Sequence, residues 1–142
     1  MMDSHYDIII AGGGLVGASL AVALKGSGLR VAVVEPVPPQ ANVQPSFDDR
    51  QTALAPTSRR FFQNLGLWDQ IADGVEPIQK IHVSDRGHGG FARLDADEEG
   101  LPALGHVAPN RVLGAVLGPA MREAADVFCP ARITGTHLVL AD

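Results

Sequence analysis

Ile8, Ile9 and Ile10 run together without alternation inside Tyr6 to Ala11. Such a run predicts a fully buried strand, central in a parallel sheet and covered on both faces. Glycines follow, and Leu15 to Lys25 is rich in Ala and Leu, a composition suited to a helix. Gly26 and Gly28 supply its stop. Val31, Val33 and Val34 make a second β-branched run within Arg30 to Glu35, closed by Pro36. Strand, helix and strand fit within roughly thirty residues, the length of one βαβ crossover.

The next stretch, 36–47, holds prolines at 36, 38, 39 and 45 and reads as a loop. Pro56-Thr57 predicts a helix start capped by Thr57, with Phe61, Phe62 and Leu65 as its apolar face and Gly66 as its end. Trp68 to Ala72 continues as a short helical turn. From Ile78 the pattern becomes alternating: Ile81 and Val83, then Gly87, Gly89 and Gly90, then Phe91 to Leu94, which predicts a β-hairpin. Asp95 to Gly100 is an acidic, exposed loop. Val112, Leu113, Val116, Leu117 and Met121 have helical spacing, and Gly118-Pro119 should kink or split that helix. Val127 to Cys129 and Arg132 to Leu140 read as closing strands.

Composition narrows the functional classes. A chain of 142 residues suffices for one compact domain, and 46% apolar with 19% charged residues is ordinary for a soluble globular protein. A formal net charge of -5 gives no electrostatic reason to expect nucleic acid. Arg59-Arg60, the only adjacent basic pair, reads as a solvated face. A single cysteine, Cys129, excludes an intrachain disulfide framework and a cysteine metal site, and fits a reducing cytoplasm. It reads as a small buried hydrophobe. Ile8 to Leu24 has the wrong flank for a signal peptide, with Asp3 and Asp7 before it and no Lys or Arg. It is also interrupted by Gly12, Gly13, Gly14, Gly17 and Ser19, and is short for a membrane span.

Gly12-Gly13-Gly14-Leu15-Val16-Gly17 fits G-x-G-x-x-G, directly after the predicted strand and opening the predicted helix. Gly12 permits a tight turn, Gly14 lets backbone approach a pyrophosphate, and Gly17 lets helix and strand pack closely. The helix start at Leu15 and Val16 offers unpaired N–H groups and a positive dipole end to phosphates. Glu35, 18 positions after Gly17, ends the second strand, where a carboxylate accepts hydrogen bonds from ribose hydroxyls and repels a 2′-phosphate. The competing reading is a glycine-rich turn and a strand-end Glu without ligand. The motif does not separate FAD from NAD.

Three further segments, Phe47 to Leu54, Leu65 to Trp68 and Val83 to Phe91, stand in order behind the glycine fingerprint. Together they resemble the flavin hydroxylases of ubiquinone biosynthesis, within the para-hydroxybenzoate hydroxylase-like monooxygenases; the Asp48-Asp49-Arg50 segment and the Val83–Phe91 run are more specific than the glycine fingerprint. The resemblance implies FAD as cofactor and a Rossmann-like α/β three-layer unit with a parallel sheet. It places the N-terminal part of the FAD-binding domain at 1–76, a β-hairpin from the substrate domain at 77–104, and a return to the FAD-binding domain at 105–142. It further implies that Arg50 reaches the flavin cofactor, a task a guanidinium fork suits. Arg111, at the start of the next cofactor-contacting helix, is a second cationic candidate. The alternatives are surface pairing of Arg50 with Asp48 or Asp49, and a solvated Arg111.

The same resemblance implies hydroxylation of a polyprenylated phenol with NAD(P)H and O₂, by a parent protein well over twice this length. A 142-residue chain is then an incomplete unit, expected to be inactive alone. A lipid substrate implies peripheral contact of a cytoplasmic protein with the inner membrane or with biosynthetic partners, although no basic amphipathic helix supports it. His82, His88 and Arg86 read as structural or pocket-lining residues, no metal site is expected, and no catalytic residue is identified. Two other readings stand beside this one: an NAD-dependent dehydrogenase domain, and a folded fragment without catalytic role.

Overall fold

The computed structural model describes residues 5–38, 48–87 and 89–136. Its elements follow as β1 (Ile8–Ala11), α1 (Leu15–Ala23), β2 (Val31–Val34), β3 (Gln51–Leu54), α2 (Pro56–Asn64), α3 (Trp68–Ala72), β4 (Glu76–Ile78), β5 (Lys80–Ser84), β6 (Phe91–Asp95), β7 (Gly105–Pro109), α4 (Asn110–Ala124) and β8 (Asp126–Phe128). They divide into two compact units, Met1–Phe47 with Gly114–Asp142, and Asp48–Leu113.

The first unit carries a parallel sheet in the order β1-β2-β8. Ile8 is registered with Val31 and Ala11 with Val34; on the other side Val33 faces Val127. β2 is central, and Val31, Ala32 and Val33 are all buried although alternate residues point to opposite faces. The continuous valine-rich run thus reports burial on both sides. The isoleucine run does not. Among the described residues β1 stands at the sheet edge, and Ile9, pointing to one face, is 59% exposed while Ile10, pointing to the other, is buried. Ala18, Ala21 and Val22 of α1, with Leu117 and Met121 of α4, complete this core.

α4 is one helix with Pro119 inside it, against the expected split at Gly118-Pro119. Proline removes the bond to the carbonyl of Ala115. Ala115 and Pro119 are both exposed, where water can take the place of the lost bond. Of the two predicted closing strands, β8 forms. Residues 132–136 have no regular structure, and the rest of that predicted strand lies outside the described residues, as do 39–47 of the proline loop.

The second unit holds an antiparallel sheet in the order β3-β7-β4 and the separate hairpin β5-β6. α2 begins at Pro56 as expected, but the N-cap is Ala55 and no side chain caps it. Thr57 falls inside the first turn. The end is as read: Gly66 takes φ +70°, Leu67 N–H donates to Phe62 O at 2.9 Å and Gly66 N–H to Gln63 O at 3.0 Å, the paired bonds of a glycine-closed helix terminus. Phe62, Leu67, Trp68, Ile71, Leu54, Ala108 and Leu113 form the core. Ile71 is fully buried, so Ile71→Ala should cost about 2–5 kcal/mol through lost transfer energy and a cavity. A lowered urea midpoint at unchanged slope checks it.

Candidate functional site

The glycine turn is held by the strands that flank it. Gly12 takes φ +104°, a left-handed conformation only glycine adopts freely, while its N–H donates to Val34 O at 2.9 Å. Gly17 approaches so closely that a Cβ there would overlap the carbonyl oxygen of Gly12. α1 then opens with its first intrahelical bond from Ala18 N–H to Gly14 O at 2.8 Å. No side chain caps this helix, no acid stands in its first turn, and Val16 is 85% exposed. The first amides of α1, at Leu15, Val16 and Gly17, therefore present donors and a positive dipole end to an anion.

Glu35 closes the arrangement. It is 8% exposed, and its Oε2 accepts from Gly13 N–H at 2.7 Å while Oε1 accepts from Val37 N–H at 2.7 Å. Its own N–H donates to Phe128 O and its carbonyl accepts from Ala131 N–H, both at 2.9 Å. A carboxylate offers about four lone-pair sites, so the two backbone bonds orient the group and leave acceptor capacity on both oxygens. Two vicinal hydroxyls suit that remainder. The first turn of α1 meets α4 across a narrow crevice lined by Gly13, Gly14, Leu15, Ala18, Gly114, Leu117 and Gly118.

Cys129 stands beside this acid. It is half-buried rather than buried, and its Sγ donates to Val37 O at 3.4 Å. Burial, with the charge of Glu35 adding to it, pushes the thiol up. The group is a protonated, weakly nucleophilic thiol at neutral pH.

The two cationic candidates belong to the second unit. Arg50 Nε pairs with Asp48 Oδ2, and Arg111 Nε pairs with Asp49 Oδ1 at 2.9 Å. Partial burial works against ionisation of Asp48, but the Arg50 guanidinium and backbone N–H hold its carboxyl below the usual range. Asn110, 7% exposed, organises the cluster. Its Oδ1 accepts from Thr52 Oγ1 at 2.6 Å, its Nδ2 donates to Asp48 Oδ1 at 3.2 Å, and its N–H donates to Arg50 O at 2.9 Å. Sequence reasoning singled out Arg111 and passed over Asn110. An Asn directly before an apolar helical repeat was the available signal.

Arg86 is exposed, and His88 lies outside the described residues. His82 stacks on Phe91 at 5.7 Å and accepts from Arg93 Nε at 3.3 Å, a contact within the hairpin. Among the described residues, no group of three or more His, Cys, Asp or Glu is placed to hold a metal ion, and no helix is long and apolar enough to cross a membrane.

A family model described as an FAD binding domain matches residues 5–137. The chain belongs to the FAD-binding domain family. FAD is thereby the dinucleotide of this fold, the choice the glycine motif left open. The chain is 37% identical over 134 residues to ubiquinone hydroxylase UbiL of Rhodospirillum rubrum, covering 93% of this chain and 31% of that protein. It is 33% identical over 144 residues to 3-demethoxyubiquinol 3-hydroxylase of Escherichia coli, covering 99% of this chain and 36% of that protein. The chain thus spans about a third of the length of the curated relatives it matches. The flavin-dependent monooxygenase PieE, solved with FAD and substrate, shares the fold at a TM-score of 0.65 and 21% identity, over 88% of this chain and 24% of that one.

The residues of the FAD-binding fold fit their cofactor. An uncapped helix start, a turn in which Gly17 has no room for a Cβ, and an oriented acid at the neighbouring strand end match a diphosphate and an adenosine ribose in turn.

Proposed function

We propose that this chain carries the FAD-cradling region of an aromatic monooxygenase that hydroxylates a polyprenylated phenol in ubiquinone biosynthesis. The observation that carries the cofactor half is the seating of Glu35 on the Gly13 amide beside the open start of α1. In this reading Gly12, Gly14, Leu15, Val16 and Gly17 bind the diphosphate through backbone, and Glu35 takes the ribose. Arg50 and Arg111 are proposed as the cationic contacts; each is now paired with an aspartate, Asp48 and Asp49, so it would have to exchange that partner for the cofactor. When bound, FAD supplies the redox chemistry: it accepts hydride from reduced nicotinamide and activates O₂. The chain's own residues bind and orient it. The substrate class rests on the relatives' names, two of which are hydroxylases of ubiquinone or its precursor.

The domain plan proposed with it assigns 1–76 and 105–142 to the FAD-binding domain and 77–104 to the substrate domain. Contact with a membrane or a biosynthetic complex is the partner a lipid substrate calls for.

Titration of the purified chain with FAD, followed by flavin fluorescence, tests the cofactor assignment. The expected result is saturable but weak FAD uptake, no NAD uptake, and no phenol hydroxylation by these 142 residues alone. Uptake of NAD in place of FAD would overturn it.

A further inference from the structure

Trp68, the only tryptophan of the chain, opens α3 and is buried. The guanidinium of Arg59, from α2, lies over its ring at 5.2 Å, and the imidazole of His106, from β7, meets it edge-on at 5.0 Å between centroids. Arg59 is therefore half-buried against the indole, while Arg60 is exposed; the adjacent basic pair is not one solvated face. Two nitrogen atoms beside the indole, Arg59 Nε and His106 Nδ1, are buried with no hydrogen-bond partner among the described residues. Buried polar atoms are normally paired, and in a weakly screened site an added charge is felt strongly.

The surroundings of His106 leave Arg59 as the charge it meets. Leu54 of β3 and Pro77 of β4 flank it in the sheet, and neither ionises. Glu76 is registered with Val107 and so points to the opposite face. Asp69, beside Trp68 on α3, is exposed. No carboxylate among these neighbours is set to receive an imidazolium. Burial, and then the Arg59 charge, hold the His106 imidazole below its ordinary value of 6.5.

We propose that Arg59, Trp68 and His106 form an acid-released latch, in which protonation of His106 beside the Arg59 guanidinium detaches the α2-α3 pair from β7. The neutral ring is tolerated in the closed state. The protonated ring adds a second cation against a shared indole and a buried N–H with no acceptor among the described residues. Because the closed state depresses the histidine, its stability is fully present above the ordinary imidazole value. It is lost as pH falls from there through the depressed value.

Trp68 reports the event without a label. Its emission is followed from about pH 8 to about pH 5, together with amide exchange across 56–72. The expected result is a red-shifted emission with a midpoint below 6.5, accompanied by loss of amide protection in α2 and α3. His106→Phe keeps a ring against the indole and should abolish the transition. Arg59→Met keeps an apolar stem on the indole, removes the neighbouring charge, lessens the depression of His106 in the closed state, and should therefore move the opening midpoint to lower pH or remove it. A flat emission profile, an unchanged transition in His106→Phe, or an unmoved midpoint in Arg59→Met would each overturn the latch; a histidine with a merely structural role does not predict the Arg59→Met shift.

Discussion

Gly17→Ala is expected to abolish FAD uptake and to give a chain that unfolds at markedly lower urea than the wild type. A Cβ at position 17 would overlap Gly12 O, with Gly12 C and Ile10 Cγ2 both at 3.1 Å. The principal obstacle is backbone, not the end of a mobile side chain, so no rotamer change relieves it. Either the turn moves away from α1 or the start of α1 moves away from β1. Overpacking of this kind costs about 1–3 kcal/mol, and more where backbone must shift. Gly12 already sits at φ +104°, which leaves the turn little conformational latitude. Displacing it also misdirects the amides of Leu15 and Val16, so binding falls further than stability. Urea unfolding and FAD titration on the same preparation separate the two effects. Unaltered FAD affinity in Gly17→Ala would sink the assignment of this turn as the diphosphate cradle.

Glu35→Gln is the second large effect, and it is nearly isosteric. Each carboxylate oxygen now accepts a backbone N–H, Gly13 on one side and Val37 on the other. An amide side chain has one accepting oxygen and one NH₂, so whichever way it turns, a backbone N–H faces a donor. Leaving such a buried donor unmet costs about 1–3 kcal/mol. The same substitution removes the charged acceptor proposed for the ribose, a contact of about 1.5–3 kcal/mol, or roughly a tenfold to hundredfold weaker FAD affinity. Thermal unfolding reads the first loss and flavin fluorescence the second. A destabilised Glu35→Gln chain with wild-type FAD affinity would leave Glu35 as a clasp on the turn with no part in ribose recognition.

The first unit was largely legible in the chain because its signals are local. Ala- and Leu-rich composition built α1, the valine run built β2, and glycines fell where positive φ or close approach demands them. The isoleucine run was read one step too far: three apolar residues in a row predict a strand, but which strand is central depends on how many neighbours the sheet supplies. The second unit was less legible. Its strands β3, β4 and β7 are short and mixed in character (Gln-Thr-Ala-Leu, Glu-Pro-Ile, Gly-His-Val-Ala-Pro), and Gln51 finds its partner at Pro109. A pairing across that separation leaves no periodic trace in either segment. Asn110 was missed for the same reason, since its importance lies in bonding Thr52 and Asp48, which no reading of its neighbours along the chain reveals.

What the residue order determined alone was the βαβ crossover and the need for bare backbone at its bend, because strand period, helix composition and steric room at a turn act over a few consecutive residues. What only the folded chain decided was the fate of its ionic and polar side chains. Glu35 became an oriented acceptor, Arg50 and Arg111 were taken up by aspartates, and Arg59 was laid on Trp68 beside His106. Charge interactions depend on distance and desolvation in space, and both are set by packing between segments far apart in sequence.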